Sequence, residues 1–84
     1  MAETKSEESF SFGEAVREAR RSLGLSQDDF AAVSDLHRTY VGGIERGERN
    51  PTLSTIWRIS SALKVEPEVL IARTRSILEE RRRA

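Results

Sequence analysis

Residues 24–47 decide the fold: Gly24-Leu25-Ser26-Gln27-Asp28-Asp29-Phe30-Ala31-Ala32-Val33-Ser34-Asp35-Leu36-His37-Arg38-Thr39-Tyr40-Val41-Gly42-Gly43-Ile44-Glu45-Arg46-Gly47. Ser26 followed by Asp29 has the spacing of a helix cap. It predicts a helix over residues 27–34 that buries Phe30, Ala31 and Val33. Asp35-Leu36-His37 reads as a tight polar turn. A second short helix then covers residues 38–46, burying Val41 and Ile44 and leading with Arg38, Thr39 and Tyr40. Gly42 and Gly43 fall inside it, each at a cost of about 1 kcal/mol relative to Ala. A sequence carries that cost where a side chain would obstruct a neighbouring helix or a ligand.

Working outward, Ser11-Phe12-Gly13-Glu14 has capping-box spacing. It predicts a first helix over residues 12–23, with Phe12, Val16, Ala19 and Leu23 on the inner face and Gly24 as its stop. Downstream, Gly47-Glu48-Arg49-Asn50-Pro51 is a loop. Thr52 caps a fourth helix over residues 53–63, whose inner stripe is Leu53, Ile56, Ile59 or Ser60, and Leu63, with Trp57 at its flank. Pro67 suits the first turn of a fifth helix, over residues 67–82. Residues 1–10, acidic and aperiodic, read as a disordered arm. The expected organisation is that arm, a domain over residues 11–72, and a C-terminal helical extension over residues 73–84. The pattern is all-α, with no strand and no internal repeat.

Composition narrows the function classes. The chain has 84 residues and no cysteine, so neither a disulfide framework nor a thiolate metal site is available. His37 is the only histidine and has no partner for metal binding or catalysis. No nucleophile–base constellation or phosphate-binding glycine loop is present, so an enzyme is not expected, and neither is a cofactor. No apolar run suits a membrane span, and the N-terminus lacks a signal layout. The fourteen Lys and Arg balance fourteen Asp and Glu, which argues against strong non-specific binding to nucleic acid. Useful affinity is then expected only from a dimer.

The residues resemble the helix-turn-helix family of phage repressors, Cro proteins and XRE-like bacterial regulators. The landmarks are Val16-Arg17-Glu18-Ala19-Arg20, Gly24-Leu25-Ser26-Gln27, Ile44-Glu45-Arg46-Gly47, Arg49-Asn50-Pro51-Thr52-Leu53 and Ala62-Leu63-Lys64-Val65. Within that family, residues 38–46 are most similar to the controller proteins of restriction–modification systems. The resemblance implies a five-helix, lambda-repressor-like domain with an extended C-terminal helix. It implies a cytoplasmic bacterial regulator of transcription, bound to double-stranded DNA as a homodimer on a palindromic operator.

Roles follow residue by residue from the resemblance. Arg38 and Thr39 match base-reading positions, and Tyr40 a position that touches the backbone or a thymine methyl. Gln27 matches a position that contacts a phosphate and braces the recognition helix, and Arg46, Arg49 and Asn50 match positions near the sugar-phosphate chain. Arg20 and Glu45 match a buried structural ion pair. Gly43 departs from relatives that carry a long polar side chain there, so more of the readout would come from DNA shape. From the residues themselves, Arg38 can make a bidentate contact to guanine, and its start-of-helix position runs against the helix macrodipole. Tyr40 could equally pack inward. His37 is read as a turn residue near phosphate.

Trp57, Leu70, Ile71, Ile77 and Leu78 are assigned to a dimer interface, because they exceed what one small core needs. Val69 and Leu70 could equally pack the fifth helix back onto the first. RNA polymerase is a further expected partner, with exposed acids such as Asp28 and Glu48 as candidate contacts. The competing reading is an antitoxin-type or antagonist-binding protein–protein module, whose partner segment would be residues 1–9 or the end of the fifth helix.

Overall fold

A computed structural model describes residues 6–84. They form five helices in the order α1 (Glu7–Ser22), α2 (Gln27–Ser34), α3 (Arg38–Glu45), α4 (Leu53–Leu63) and α5 (Pro67–Arg83). The core is one cluster in which every helix takes part: Phe12, Ala15 and Val16, Phe30, Val41 and Ile44, Ile59 and Leu63, and Leu70 and Ile77. The ends of the helices follow local chemistry. Ser26 accepts a hydrogen bond from the Asp29 amide at 2.9 Å, and Asp29 accepts one from the Ser26 amide at 3.2 Å, closing a reciprocal cap on α2. Thr52 caps α4 by accepting from the Thr55 amide.

The start of α1 corrects the expectation. Ser6, not Ser11, is the cap, and its Oγ accepts from the Ser9 amide at 3.0 Å. Ser11 is wholly buried inside the helix, without a hydrogen-bond partner for its Oγ among the described residues. Residues 7–10, expected in the disordered arm, are therefore helical; residues 1–5 of that arm lie outside the described residues. The physical reason is partly local, the Ser6 cap with Glu7 and Glu8 in the first turn, and partly tertiary. The end of α5 lies beside this turn, with Arg82 paired to Glu7 at 3.1 Å and the Arg81 guanidinium 5.3 Å from the centre of the Phe10 ring. The acidic stretch acquires cationic partners there.

α5 packs mainly along α1. Leu70 and Ile77, assigned by the sequence to a dimer interface, are corrected to the core of the single chain, at 3% and 4% exposure. They lie seven positions apart, two turns along one face of α5, and that face is the one turned to α1. Arg73, on the rim of the same contact, donates two hydrogen bonds of 2.8 Å to Glu18 of α1. Those hydrogen bonds, with the nearby positive charge, hold the Glu18 carboxyl below its usual range. Leu78 is half-buried, while Trp57 and Ile71 stay exposed. Three residues expected inside are outside: Leu23 just past the end of α1, Val33 of α2 and Leu53 in the first turn of α4.

Candidate nucleic-acid interface

α3 is half scaffold and half surface. Val41 and Ile44 are sunk in the core, while Arg38 and Thr39 in the first turn are exposed. α2 and α3 meet across a turn in which Asp35 takes the left-handed conformation, φ 59°. Asp tolerates that conformation better than most residues. His37 is the exposed N-cap of α3 and makes no side-chain capping hydrogen bond. Tyr40 is half-buried against the core, and the Arg49 guanidinium sits 5.7 Å from its ring centre. Arg46 and Asn50 are exposed in the loop that follows α3.

Glu45 holds the far end of α3. It is 2% exposed, and its carboxylate accepts hydrogen bonds from Arg20 Nε at 2.6 Å and Nη2 at 2.9 Å. Gln27, at the start of α2, donates its Nε2 to Glu45 Oε1 at 2.9 Å. Arg17 adds an ion pair at 3.5 Å and donates to the Glu45 carbonyl oxygen at 2.9 Å. Burial pushes the Glu45 carboxyl up, but the hydrogen bonds from Arg20 and Gln27 and the charges of Arg20 and Arg17 outweigh it. The group is held below the usual glutamate value. One carboxylate thus ties α1, α2 and α3 together, and Gln27 spends its amide bracing α3 from within.

Three features of this region were not read from the sequence. Arg17 falls on the same side of α1 as Arg20, a spacing that could have signalled its part in the network. Gly13 lets α1 cross α3 closely: a Cβ there would overlap the Ile44 carbonyl oxygen and lie 2.8 Å from that of Glu45. No sequence signal marks a helix crossing of that kind. The third is charge pairing at the surface. Asp28 sits 3.1 Å from Arg38, and Glu48 accepts from Arg46 Nε and Nη2 at 3.1 Å each. Asp28 and Glu48, the acids named as candidate polymerase contacts, pair with the arginines of α3 and its loop. Gly42 is the floor between those arginines. A Cβ at this position would stand 3.0 Å from Arg46 Nη1 and 3.2 Å from Arg38 Nη1. At Gly43 a Cβ would stand 3.0 Å from Arg49 Cγ. The paired glycines let three arginine side chains lie against α3.

Among the described residues no three His, Asp or Glu side chains are grouped to hold a metal ion, and no helix is long and apolar enough to cross a membrane. An exposed helix start carrying Arg and Thr, set by a buried helix end and ringed by arginines, defines a DNA-binding helix-turn-helix unit. The chain belongs to the XRE-type helix-turn-helix family, whose model matches residues 16–70. Control protein C.BamHI of Bacillus amyloliquefaciens is 49% identical over 61 residues, 71% of this chain and 75% of that protein. The restriction–modification controller protein C.AhdI of Aeromonas hydrophila superposes with a TM-score of 0.72 at 47% identity, over 74% of this chain and 94% of that one. The controller protein C.Esp1396I, solved as a tetramer on its natural 35 base-pair operator, superposes with a TM-score of 0.80 at 30% identity, over 87% of this chain and 96% of that one.

Proposed function

We propose that this chain is a sequence-specific transcription regulator that binds a palindromic operator as a homodimer, with α3 in the major groove. The observation that carries the reading is the division of α3: its first turn offers Arg38 and Thr39 to solvent while Val41, Ile44 and Glu45 anchor the rest. Major-groove entry requires that arrangement, because the leading side chains reach base edges only if the helix behind them is rigid. Arg38 reads guanine, Thr39 meets a base edge or a thymine methyl, and Tyr40 lies at the margin of the contact. Arg46, Arg49, Asn50 and His37 line the phosphate chain on either side. Gln27 supports α3 through Glu45 and approaches the backbone at the start of α2.

A near-neutral protomer needs a second copy for affinity. Leu53 and Trp57, one turn apart on α4, and Ile71 on α5 are 69%, 54% and 46% exposed and make the apolar face for it. A twofold dimer then presents two α3 helices about one DNA turn apart. The likeness to C.BamHI and C.AhdI supports a narrower role as the controller of a restriction–modification system.

The test is a gel shift on the DNA just upstream of its own coding sequence, at two salt concentrations with excess non-specific competitor. Expected are competitor-resistant, salt-sensitive complexes with an even number of protomers. Arg38→Ala should lose about 1–3 kcal/mol of operator affinity with an unchanged melting temperature. Binding that competitor abolishes on every duplex tried would overturn the proposal.

A further inference from the structure

We infer that Asp28 is a positioning residue for base readout, holding Arg38 by its Nε so that the terminal nitrogens are left to meet a guanine. The inference rests on the DNA-binding reading above and deepens it. Asp28 stands in the first turn of α2 and Arg38 is the first residue of α3, so packing of the two helices on one core fixes both backbones. Asp28 Oδ1 lies 3.1 Å from Arg38 Nε. The two remaining guanidinium nitrogens, Nη1 and Nη2, are the pair whose geometry suits guanine O6 and N7. Gly42 supplies the other constraint, because its missing side chain leaves room for Arg38 Nη1 over α3. The Asp28–Arg38 ion pair, between exposed side chains, narrows the rotamers of a long side chain before DNA arrives, which reduces part of the ordering cost of binding. Arg46 shows the contrast. Glu48 engages it through both Nε and Nη2, so its Nη1–Nη2 pair is not open to a bidentate base contact, while Nη1 can still meet a phosphate.

Asp28 also has a bland role, since an acid in the first turn of a helix suits the macrodipole. The two roles differ in sign. A carboxylate at the DNA face repels phosphate, so its removal strengthens binding to any duplex while loosening the aim of Arg38. A purely helical role predicts lower stability and no change in base preference.

The experiment is enrichment of bound duplexes from a random-sequence library by the full chain, by Asp28→Asn and by Arg38→Ala, followed by titration of the selected duplex and of a random-sequence duplex. The wild type should enrich a palindrome with a guanine in each half-site, and Arg38→Ala should lose that guanine. Asp28→Asn should keep its melting temperature and bind the random-sequence duplex up to about fivefold more tightly, the upper worth of an exposed ion pair. Its preference for guanine over adenine at that position should fall by about threefold or more, out of the roughly five- to 150-fold that a bidentate contact supplies. An Asp28→Asn variant with the wild-type guanine preference overturns the inference and leaves the DNA-binding reading standing. Retention of the guanine by Arg38→Ala overturns it at the arginine. A wild type that enriches no sequence overturns both.

Discussion

Replacing Glu45 by Ala tests the account of how α3 is held. The carboxylate is buried and takes two hydrogen bonds from Arg20, itself 7% exposed, and one from Gln27. Its removal leaves the Arg20 guanidinium buried with the Leu25 carbonyl oxygen, 2.9 Å from Nη1, in place of a carboxylate. Breaking a buried pair from one side costs about 3–5 kcal/mol. A domain of 84 residues has in total about 4–13 kcal/mol, at roughly 0.05–0.15 kcal/mol per residue. The variant therefore loses between a quarter and all of its stability. At about 4–8 °C per kcal/mol, the midpoint should fall by at least about 12 °C in a thermal melt followed by circular dichroism. DNA binding should be lost only in step with folding. A variant that melts like the wild type yet no longer binds would show that Glu45 acts at the interface, and the reasoning would fail. The pH dependence follows from the same group. Its folded carboxyl titrates below its unfolded value of about 4.3, so its contribution is full above that pH and is lost as pH falls through the folded value. Glu45→Gln should flatten that acid limb of the stability curve.

Gly13→Ala should cost about 1–3 kcal/mol by overpacking, read in urea denaturation, because its Cβ meets backbone and not a movable side chain. Gly42→Ala should stabilise the fold by up to about 1 kcal/mol through helix propensity. The same variant should weaken operator binding by about 1 kcal/mol or more in a fluorescence-anisotropy titration, since the new methyl displaces the Arg38 and Arg46 guanidiniums. Ile77→Ala should cost about 2–5 kcal/mol at every protein concentration, as a core residue must. Ile71→Glu, on the exposed side of α5, should keep its helical signal but sediment as a monomer at concentrations where the proposed dimer is expected of the wild type.

The helical periods, the caps at Ser26 and Thr52, and the turn at residues 35–37 are local matters, and the sequence determined them. The α2–α3 unit was therefore legible to within a residue at the end of α3, and so was the family, because its landmarks lie in contiguous motifs. The residues leading α3 were legible for the same reason: a basic residue at a helix start stands out against the macrodipole. What failed to show in the sequence was non-local. Ser6 with Glu7 and Glu8 is a local start signal within residues 6–10, but the cations that complete this turn, Arg81 and Arg82, come from the far end of α5. The amphipathic pattern of α5 marks Leu70 and Ile77 as partner-seeking, but it cannot say whether the partner is α1 or another chain; the fold chose α1 for these two and left Ile71 outside. The surface charges show the same division. Composition reports a net charge of zero, while the tertiary structure decides that Asp28 and Glu48 stand against Arg38 and Arg46. Side-chain pairing across a turn depends on the angle at which two helices meet on their shared core, and that angle is set by packing, not by spacing along the chain.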